Sequence, residues 1–470
     1  MSLFEKYAKI KAELQPHQLR AVQRALENNL ILAHSTGSGK TLTSIAIADA
    51  IGKPTTVLTP ASLVENYKKE LQKFKSGGPP VDVMSLPTAQ LRGYEVPWGN
   101  TLIIDEIHSL RNPLSKRFRY IQSQLDRADR VFGLTGTPAY NAIENWAPLV
   151  NVVAKHRVFP LSASEFNKRY TRDVNQYAHS ALVDYMFGIK PGVKTVLKNK
   201  SELRNKLLPY VDVFEADIEK PERVDETISV PMSPNQQRVY EYVAGNIPYS
   251  MAYKIRKNLP PSKSEASELN AYLSGVRQVS NTPSTFDVKA EKLSPKLKRV
   301  VEEIQKHLKK NPDLRAFVYS NYLDAGVNPV SEALTEAGIT NAIFHGGLSK
   351  KQKKELVDAY NSGKLHVLLG TGSASEGLDL KKTNLLQLIE PQFNNSRLEQ
   401  VVGRGIRYKS HEGLPKDKQK VLVQSFESTL EPTWLQKMFG KKEEVAVDRY
   451  LKSRADEKDK LIKEIKDLFH

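Results

Sequence analysis

The sequence predicts an α/β fold with two tandem parallel-sheet lobes, a mainly helical insertion between them and a C-terminal helix. The prediction rests on chain length, on two stretches in which apolar runs alternate with helical segments, and on the long basic stretch between them. A chain of 470 residues is long enough for two or three domains of roughly 100–200 residues each. Its 40% hydrophobic and 26% charged residues are typical of globular proteins and exclude a disordered or fibrous class.

The two lobes are predicted from the same alternation of short apolar runs and helical segments, which is typical of βαβ units. In residues 30–150 the strand candidates are LILAH, TTVLTP, VDVMSL, TLIIDE and RVFGLTG. In residues 314–430 they are LRAFVYS, NAIFHGG, LHVLLGT, LLQLIEP and KVLVQSF. We therefore expect one lobe in residues 1–150 and a second in residues 296–430.

The stretch between the lobes, residues 151–295, is rich in helix-forming and basic residues and contains a Pro-Pro-Ser break at residues 260–262. Connections in compact domains are mostly ~4–6 residues long, so this stretch is too long to be a simple linker. We expect it to hold a mainly helical insertion and the segment that crosses to the second lobe.

The last segment, residues 431–470, is predicted to form a helical extension. Leu461, Ile465 and Leu468 recur at the spacing of one helix face, which we expect to pack on the body of the protein. The charged opposite face is expected to be solvated.

Composition limits the possible chemistry. Zero cysteines exclude disulfides, a thiol nucleophile and cysteine-ligated metal centres. No apolar run approaches the ~20 residues that cross a bilayer, and the N-terminal segment mixes charges with its apolar positions, so we expect a soluble intracellular protein without a membrane partner. The net charge of +17 fits a polyanionic partner, although a basic surface that binds nothing specific would explain the charge alone equally well.

The first lobe contains a phosphate-binding pattern. An apolar strand at residues 30–34 leads into a glycine-rich turn and then into a helix that begins at Lys40 and Thr41. Glycines let backbone N–H groups face phosphate oxygens, the lysine reaches the β- and γ-phosphates of ATP, and the threonine can ligate Mg²⁺. The first position of the pattern is usually Gly or Ala but here is His34, which shapes the loop without adding a catalytic group. The predicted nucleotide contacts of the loop are Thr36, Gly37, Ser38, Gly39, Lys40 and Thr41.

A second strand of the same lobe ends in the carboxylates Asp105 and Glu106. Asp105 would hold Mg²⁺, and Glu106 would orient or deprotonate the attacking water. An acidic pair after a strand is often only structural, but its combination with a phosphate-binding loop favours catalysis. His108 is either a spacer or a link from the nucleotide site to the next motif.

With these motifs the first lobe resembles the superfamily 2 helicases with a DExH-type box. Residues 14–18, LQPHQ, resemble the adenine-reading segment of that family, which implies that Gln18 contacts the base. Residues 134–138, LTGTP, resemble the motif that relays nucleotide state to the nucleic-acid surface, which implies a nucleic-acid contact for Thr137. Alone, TGTP would be interpreted as a turn.

In the second lobe, residues 400–407 match the family pattern QxxGRxxR in full. Arg404 and Arg407 are three residues apart, so on a helix both can point the same way. Both could then reach the γ-phosphate of a nucleotide bound in a cleft between the two predicted lobes. The resemblance implies that Arg407 is an arginine finger, which contributes about 10³–10⁵ in rate in phosphoryl transfer, and that Gln400 and Arg404 also lie at the phosphates. A basic helix face exposed to solvent is the alternative.

Three other stretches of the second lobe, residues 318–321, 345–347 and 369–380, resemble the family's motifs IV to V. Hydroxyls and amides at strand ends suit phosphate contacts, which position a motor without reading sequence. The predicted nucleic-acid contacts are Ser320, Asn321 and Thr371, and the predicted nucleotide contacts are Gly377 and Asp379.

Several segments resemble the Swi/Snf group of these ATPases in particular. Residues 59–70 (TPASLVENYKKE) and 105–113 (DEIHSLRNP) carry this likeness, and it implies nucleic-acid contacts for Pro60, Ser62 and Asn66. The likeness continues between the lobes at residues 162–170, 230–240 and 276–283. Residues 318–329 and the run GRGIRYKSHEGLP are similar to the ATPases of large DNA viruses.

The resemblance covers roughly residues 10–430 and implies two RecA-like lobes that use ATP and Mg²⁺ to move along duplex DNA without reading its sequence. A compact second lobe and the lack of an appended reader, nuclease or zinc domain indicate a bare motor of viral or phage type, targeted by a partner protein. Its compartment would be a prokaryotic cytoplasm or a viral or nuclear DNA compartment. A strand-separating helicase, a partner-gated transcription or remodelling ATPase, and an RNA substrate remain open alternatives.

Overall fold

The computed structural model describes residues 10–35, 37–136, 143–215, 221–372, 378–392, 395–406, 410–431 and 446–469. The chain forms two compact units, one made of Met1–Arg172, Thr195–Ile218 and Leu461–His470, and the other of Asp173–Lys194 and Glu219–Lys460. Each unit contains a six-stranded sheet in which neighbouring strands are parallel. The predicted two-lobe α/β architecture is confirmed.

The strands of the described residues are, in chain order, β1 (Ile31–His34), β2 (Thr55–Thr59), β3 (Val81–Ser85), β4 (Thr101–Ile104), β5 (Arg130–Thr135), β6 (Thr171–Gln176), β7 (Gly192–Leu197), β8 (Val211–Phe214), β9 (Glu222–Pro231), β10 (Ala316–Tyr319), β11 (Asn341–Phe344), β12 (Val367–Gly370), β13 (Leu385–Leu388) and β14 (Lys420–Thr429).

The α-helices of the same residues are α1 (Pro16–Glu27), α2 (Lys40–Ile51), α3 (Val64–Phe74), α4 (Leu86–Leu91), α5 (Lys116–Gln124), α6 (Trp146–Ala154), α7 (Ala163–Tyr170), α8 (Ala181–Met186), α9 (Lys200–Leu207), α10 (Pro234–Ala244), α11 (Tyr249–Arg256), α12 (Lys263–Asn281), α13 (Pro295–Lys310), α14 (Asn328–Glu336), α15 (Lys350–Asn361), α16 (Asn395–Gly405) and α17 (Val447–Asp467). Short 3-10 turns lie at Ile107–Leu110, Ile143–Asn145, Pro283–Thr285 and Lys416–Lys418, and a π-helical turn lies at Leu323–Val327. Within the described part of the chain, none of the helices has the length and apolarity needed to cross a membrane.

The sheet of the first unit has the order β3-β2-β4-β5-β1-β8. Helices cover both of its faces, which explains why its central strands are continuous apolar runs rather than alternating ones. In β1, Leu32 faces a core formed with α1, α2 and α3, whereas Ile31 and Ala33 face a second core formed with α4 to α7 and α9. The five strands predicted from residues 30–150 are all present.

The sheet of the second unit has the order β11-β12-β10-β13-β14-β9, and its five predicted strands are also present. Val318 and Leu369 face a core closed by α13 and α14, while Phe317 and Leu368 face a core that includes residues of α15 and α16. This alternation places two helical layers around one buried sheet.

The region between the predicted lobes contributes strands as well as helices, and this differs from the sequence interpretation. Strand β8 pairs with β1 in the first sheet, and β9 pairs with the whole of β14 in the second. Residues of β9 are mostly exposed, and charged side chains are common on edge strands because they discourage further pairing. Its sequence ERVDETISVP therefore lacks the apolar signal of a buried strand.

Helix α17 confirms the predicted packing of Leu461, Ile465 and Leu468, whereas residues 432–445 of the predicted extension lie outside the described residues. Ile465 and Leu468 are buried in a core of the first unit, and Leu461 packs against that core. Near the start of the helix, Tyr450 and Leu451 are buried in a core of the second unit together with residues of α10, α11 and α12.

Candidate nucleotide site

The loop between β1 and α2 has the backbone geometry of a phosphate cradle. Gly37 and Gly39 have φ angles of 85° and 78°, which glycine adopts at little cost. A Cβ atom at Gly39 would lie 2.5 Å from Nε2 of Gln18, so a larger residue would collide with α1. Helix α2 begins at Lys40, and its first N–H groups have no partners within the helix, which makes this end attractive to anions.

Lys40 is held at this loop by backbone acceptors. Its Nζ donates to the carbonyl oxygens of His34, at 3.0 Å, and Ser35, at 3.1 Å. Burial lowers the pKa of Lys40, and the negative charges of Glu106 and Asp105 oppose that effect. Thr41 follows in the first turn of α2 and is half-buried. Lys40 and Thr41 therefore lie at the helix end where the sequence places the phosphates and Mg²⁺.

The carboxyl end of β4 presents Asp105, whose side chain is held by two donors. Its Oδ2 accepts a hydrogen bond from Oγ1 of Thr59, at 2.8 Å, and its Oδ1 accepts one from the backbone N of Glu106, at 3.0 Å. Burial raises the pKa of Asp105. Thr59 ends β2, so the neighbouring strand fixes the orientation of the proposed Mg²⁺ ligand.

Glu106 has a strained backbone and an ionised side chain. Its φ is 50°, a left-handed value that is uncommon for non-glycine residues. Although burial raises its pKa, the close contact with His108 and the charges of His108 and Lys40 bring the pKa below its ordinary value. A carboxylate that stays ionised can accept a proton from water.

His108 connects this carboxylate to the next motif. Its Nδ1 lies 3.1 Å from Oε2 of Glu106 and 3.2 Å from Oγ1 of Thr135. Thr135 ends β5 and precedes the Gly136-Thr137 part of the predicted relay motif. The geometry favours the linking role of His108 over the spacer role.

Gln18, the residue predicted to contact the base, lies against the phosphate loop. Its Oε1 accepts a hydrogen bond from the backbone N of Gln15, at 2.9 Å, and its Nε2 donates to the carbonyl of Gly39, at 3.3 Å. The neighbouring His17 has its Nε2 2.9 Å from the carbonyl of Ser38. Hydrogen bonds thus join the segment predicted to read the base to the phosphate loop.

Phe214 also belongs to this site and was missed by the sequence analysis. Its ring stacks on the ring of His17 with centroids 3.6 Å apart and planes 4° apart. It ends β8, far along the chain from the motifs it contacts, and nothing in the local pattern VDVF marks it as part of a nucleotide site.

The oxygen donors at this site fit Mg²⁺. The Thr41 hydroxyl and the Asp105 carboxylate are hard ligands, and Mg²⁺ commonly takes one or two protein ligands together with phosphate oxygens and waters. The described residues contain no group of three or more His, Cys, Asp or Glu side chains arranged to hold a metal ion. An ion that arrives with ATP does not need such a cage.

Candidate nucleic-acid contacts of the first unit lie next to these carboxylates. Ser62 and Asn66 are exposed and Pro60 is half-buried, and all three follow Thr59 at the carboxyl end of β2. Because β2 and β4 are paired in parallel, these residues share one sheet edge with Asp105.

In the second unit, Ser320 is buried and does not reach the surface. Its side chain is fully buried and its Oγ donates to Oε2 of Glu390 at 2.9 Å. Glu390 also accepts a hydrogen bond from Nδ2 of Asn321, at 2.9 Å, and one from Nδ2 of Asn281, at 2.9 Å. The Ser320 hydroxyl gives its single hydrogen to Glu390 in this arrangement, so its predicted phosphate contact would require a change of partner, whereas the Nδ2 group of Asn321 has a second N–H.

Asn321 and Thr371 lie together, as the shared sheet edge predicts. Both line a cavity of about 290 Å³ at the carboxyl ends of β10 and β12. Gln278 of α12 and Tyr322 also line it. This cavity offers amide and hydroxyl groups of the type that contacts phosphates.

The structure describes the remaining predicted residues only in part or not at all. Asp379 is exposed in the second unit, and its carbonyl accepts a hydrogen bond from Nδ2 of Asn361. Gln400 and Arg404 are carried by α16, but their side chains are not among those described. Four predicted residues lie outside the described residues: Thr36, Thr137, Gly377 and Arg407.

Comparison with protein families gives three matches along the chain. Residues 82–285 match the SNF2-related domain. Residues 296–409 match the helicase conserved C-terminal domain. Residues 11–85 match the res subunit of type III restriction enzymes.

Similar proteins occur in large DNA viruses. The chain is 30% identical over 425 residues to a putative ATP-dependent RNA helicase of Acanthamoeba polyphaga mimivirus, and the match covers 87% of each protein. It is 24% identical over 550 residues to a termination factor NPH-I homolog of African swine fever virus, with 93% of this chain and 75% of the relative covered.

Among solved structures, the helicase domain of Hef from Pyrococcus furiosus has a similar fold. The match has a TM-score of 0.51 at 15% identity and covers 91% of this chain and 97% of the other. At that identity the likeness concerns the fold alone.

Proposed function

The chain belongs to the Swi/Snf-type ATPases of helicase superfamily 2, and on that premise we propose that it is a translocase that moves along double-stranded DNA. It is an ATP hydrolase and a helicase-type nucleic-acid motor. The proposal concerns the track on which the motor runs and the way hydrolysis is coupled to movement.

One observation supports the coupling in this proposal: at the end of β2, Thr59 contacts the candidate Mg²⁺ ligand Asp105 and leads directly into the candidate nucleic-acid contacts. The Thr59 hydroxyl donates to Asp105 at 2.8 Å, and Pro60 and Ser62 follow directly at the surface. A shift of Asp105 on nucleotide binding would be transmitted through Thr59 to those contacts. Coupling of this kind requires two arrangements whose equilibrium the nucleotide changes.

We assign the chemical roles as follows, and the positions of the described side chains support them. Lys40 and the loop N–H groups would hold the phosphates, and Glu106 would take a proton from the water that attacks the γ-phosphorus as the bond to ADP breaks. Thr41 and Asp105 would hold Mg²⁺, which neutralises charge that develops on the phosphate oxygens. We assign Gln400, Arg404 and Arg407 to the same phosphates from their sequence pattern.

The duplex track is supported by the match of residues 82–285 to the SNF2-related domain and by the net charge of +17. A sequence-independent motor contacts phosphates with basic and polar groups, and these contacts release counterions. Cavity-lining Asn321 and Thr371 would supply such contacts in the second unit, and Ser62 and Asn66 in the first.

A second candidate is a partner-gated ATPase that acts in transcription. It is favoured by the similarity to the termination factor homolog of African swine fever virus. In that case naked nucleic acid would stimulate hydrolysis weakly, and a protein partner would be needed for full activity.

The first experiment measures steady-state ATP hydrolysis without nucleic acid and with duplex DNA, single-stranded DNA or RNA, over a series of salt concentrations. We expect duplex DNA to stimulate most strongly and the stimulation to fall with salt, because each phosphate contact contributes a slope of about −0.9 to the log–log plot of affinity against salt. Stronger stimulation by single strands or RNA would contradict the duplex proposal, and no stimulation by any of them would favour the partner-gated candidate.

Strand separation is tested on the same protein with forked DNA. A duplex translocase need not release a strand, so we expect ATP-dependent movement without displacement of the labelled strand. Efficient displacement would move the assignment to a strand-separating helicase.

A further inference from the structure

His34, at the usual Gly or Ala position of the phosphate loop, has a specific buried partner. Its side chain is fully buried and its Nε2 lies 2.7 Å from Oδ2 of Asp212 in β8. Burial lowers the pKa of His34, and the nearby His17 and Arg20 also lower it, so the pKa stays below its ordinary value although Asp212 raises it. The imidazole is therefore neutral, and its Nε2–H donates to the carboxylate. The residue that departs from the family pattern therefore joins the loop to β8, a strand that is distant in sequence but lies beside β1 in the sheet.

Asp212 also holds the helix that reads the base. Nη1 of Arg24 lies 2.7 Å from its Oδ1, and Nη2 of Arg20 lies 3.0 Å from its Oδ2. Burial opposes ionisation of Asp212, but the hydrogen bonds from His34, Arg20 and Arg24 and the charge of Arg20 lower its pKa to about 2. One ionised carboxylate thus connects β1, which leads into the phosphate loop, with α1, which carries Gln18.

The backbone of β8 reinforces this connection. His34 is in register with Phe214, and the backbone N of Ser35 donates to the carbonyl of Phe214 at 2.9 Å. The Phe214 ring lies flat against His17. The last residues of β8 therefore contact the phosphate loop through Ser35 and the base-reading segment through His17.

We propose that Asp212 and Phe214 are positioning residues that set the base preference of the ATPase, with His34 as the link to the phosphate loop. Asp212 fixes the angle between α1 and β1, and Phe214 fixes the ring of His17 beside Gln18. Together they hold the amide of Gln18 where it can distinguish an adenine from a guanine. The proposal rests on hydrolysis of nucleotide and is independent of the nucleic acid on which the motor acts.

The test compares the kinetics of ATP and GTP hydrolysis in the full-length protein and in single variants. Phe214→Leu keeps an apolar side chain but removes the stacked ring, and Asp212→Asn removes the charge that holds the two arginines. We expect each to raise KM for ATP about tenfold, because a displaced Gln18 amide would lose roughly one hydrogen bond with the base. The kcat at saturating ATP should stay within about twofold of the wild-type value, because neither residue is assigned to the reacting phosphate. A tenfold fall in kcat would instead indicate a lost transition-state contact.

The readout specific to positioning is the ratio of kcat/KM for ATP to that for GTP. We expect this ratio to fall in Phe214→Leu, Asp212→Asn and His34→Ala. His34→Gln should retain more of it than His34→Ala, because a glutamine amide can donate to Asp212. The control Asp129→Asn alters an exposed pair with Lys53 in the same unit, 2.8 Å apart, and should match the wild type.

Thermal unfolding of each variant separates positioning from general destabilisation. If Asp212→Asn does not fold, Phe214→Leu still tests the proposal, because Phe214 is half-buried and leucine preserves most of its apolar volume. A wild-type protein that hydrolyses ATP and GTP equally well, or a Phe214→Leu protein with an unchanged preference, overturns the proposal.

Discussion

Replacing Glu106 with glutamine is expected to reduce ATP turnover by about 10²–10⁴-fold, the usual contribution of a positioned general base. The amide keeps the size of the side chain but cannot accept a proton from water. Since Glu106 is not assigned to the phosphates, ATP affinity should be largely retained, and nucleic-acid binding should not change. Single-turnover hydrolysis and the equilibrium binding of a labelled nucleotide measure the two effects separately.

The matched control is Glu27→Gln, which changes an exposed carboxylate at the end of α1 and should leave turnover unaltered. Lys40→Ala gives the complementary result, because it removes the ammonium group that would hold the phosphates, so both affinity and turnover should fall. If Glu106→Gln and Lys40→Ala both retain ATPase activity, the assignment of this site is wrong.

Replacing Asp448 with alanine should have the largest effect on stability, about 3–5 kcal/mol, which is typical of breaking a buried ion pair. Oδ2 of Asp448 lies 2.7 Å from Nζ of Lys296, and the two side chains are 0% and 1% exposed. The same oxygen accepts a hydrogen bond from the backbone N of Ser428 at 2.9 Å. The substitution would leave a buried ammonium group without its counter-charge. Chemical denaturation monitored by circular dichroism measures the loss.

Two further variants test the cause of that loss. Asp129→Ala removes an exposed pair and should cost less than about 1 kcal/mol. Combining Asp448→Leu with Lys296→Met removes both charges and should recover part of the stability, because apolar side chains of similar volume often replace buried pairs without loss. A small effect of Asp448→Ala, equal to that of Asp129→Ala, would contradict a stabilising role for the buried pair.

The sequence predicted the elements whose signal is local. Every apolar run assigned as a strand in the two lobes is a strand, because the central strands of a parallel sheet covered on both faces are mainly apolar. The phosphate loop was also predictable, since its glycines are required by backbone angles, as at Gly39. Asp105 and Glu106 come directly after a strand, and this position alone predicts that they lie at the carboxyl edge of the sheet.

Contacts between distant parts of the chain were not predictable from these patterns. Strand β9 is charged and exposed, so it carries no apolar signal, and β8 has only four residues. The importance of Asp212 depends on three donors from β1 and α1, and that of Glu390 on Ser320, Asn321 and Asn281. A side chain in such a network looks like any other acidic residue until the fold brings its partners together.

Movement along duplex DNA is tested most directly by displacement of a triplex-forming oligonucleotide from a duplex, with ATP and without strand separation. If the proposal of duplex translocation is right, we expect the wild-type protein to displace the third strand when ATP is hydrolysed, Glu106→Gln not to displace it, and both proteins to bind the duplex equally well. Displacement at the same rate by Glu106→Gln, or a wild-type protein that hydrolyses ATP on duplex DNA and leaves the third strand in place, would contradict it.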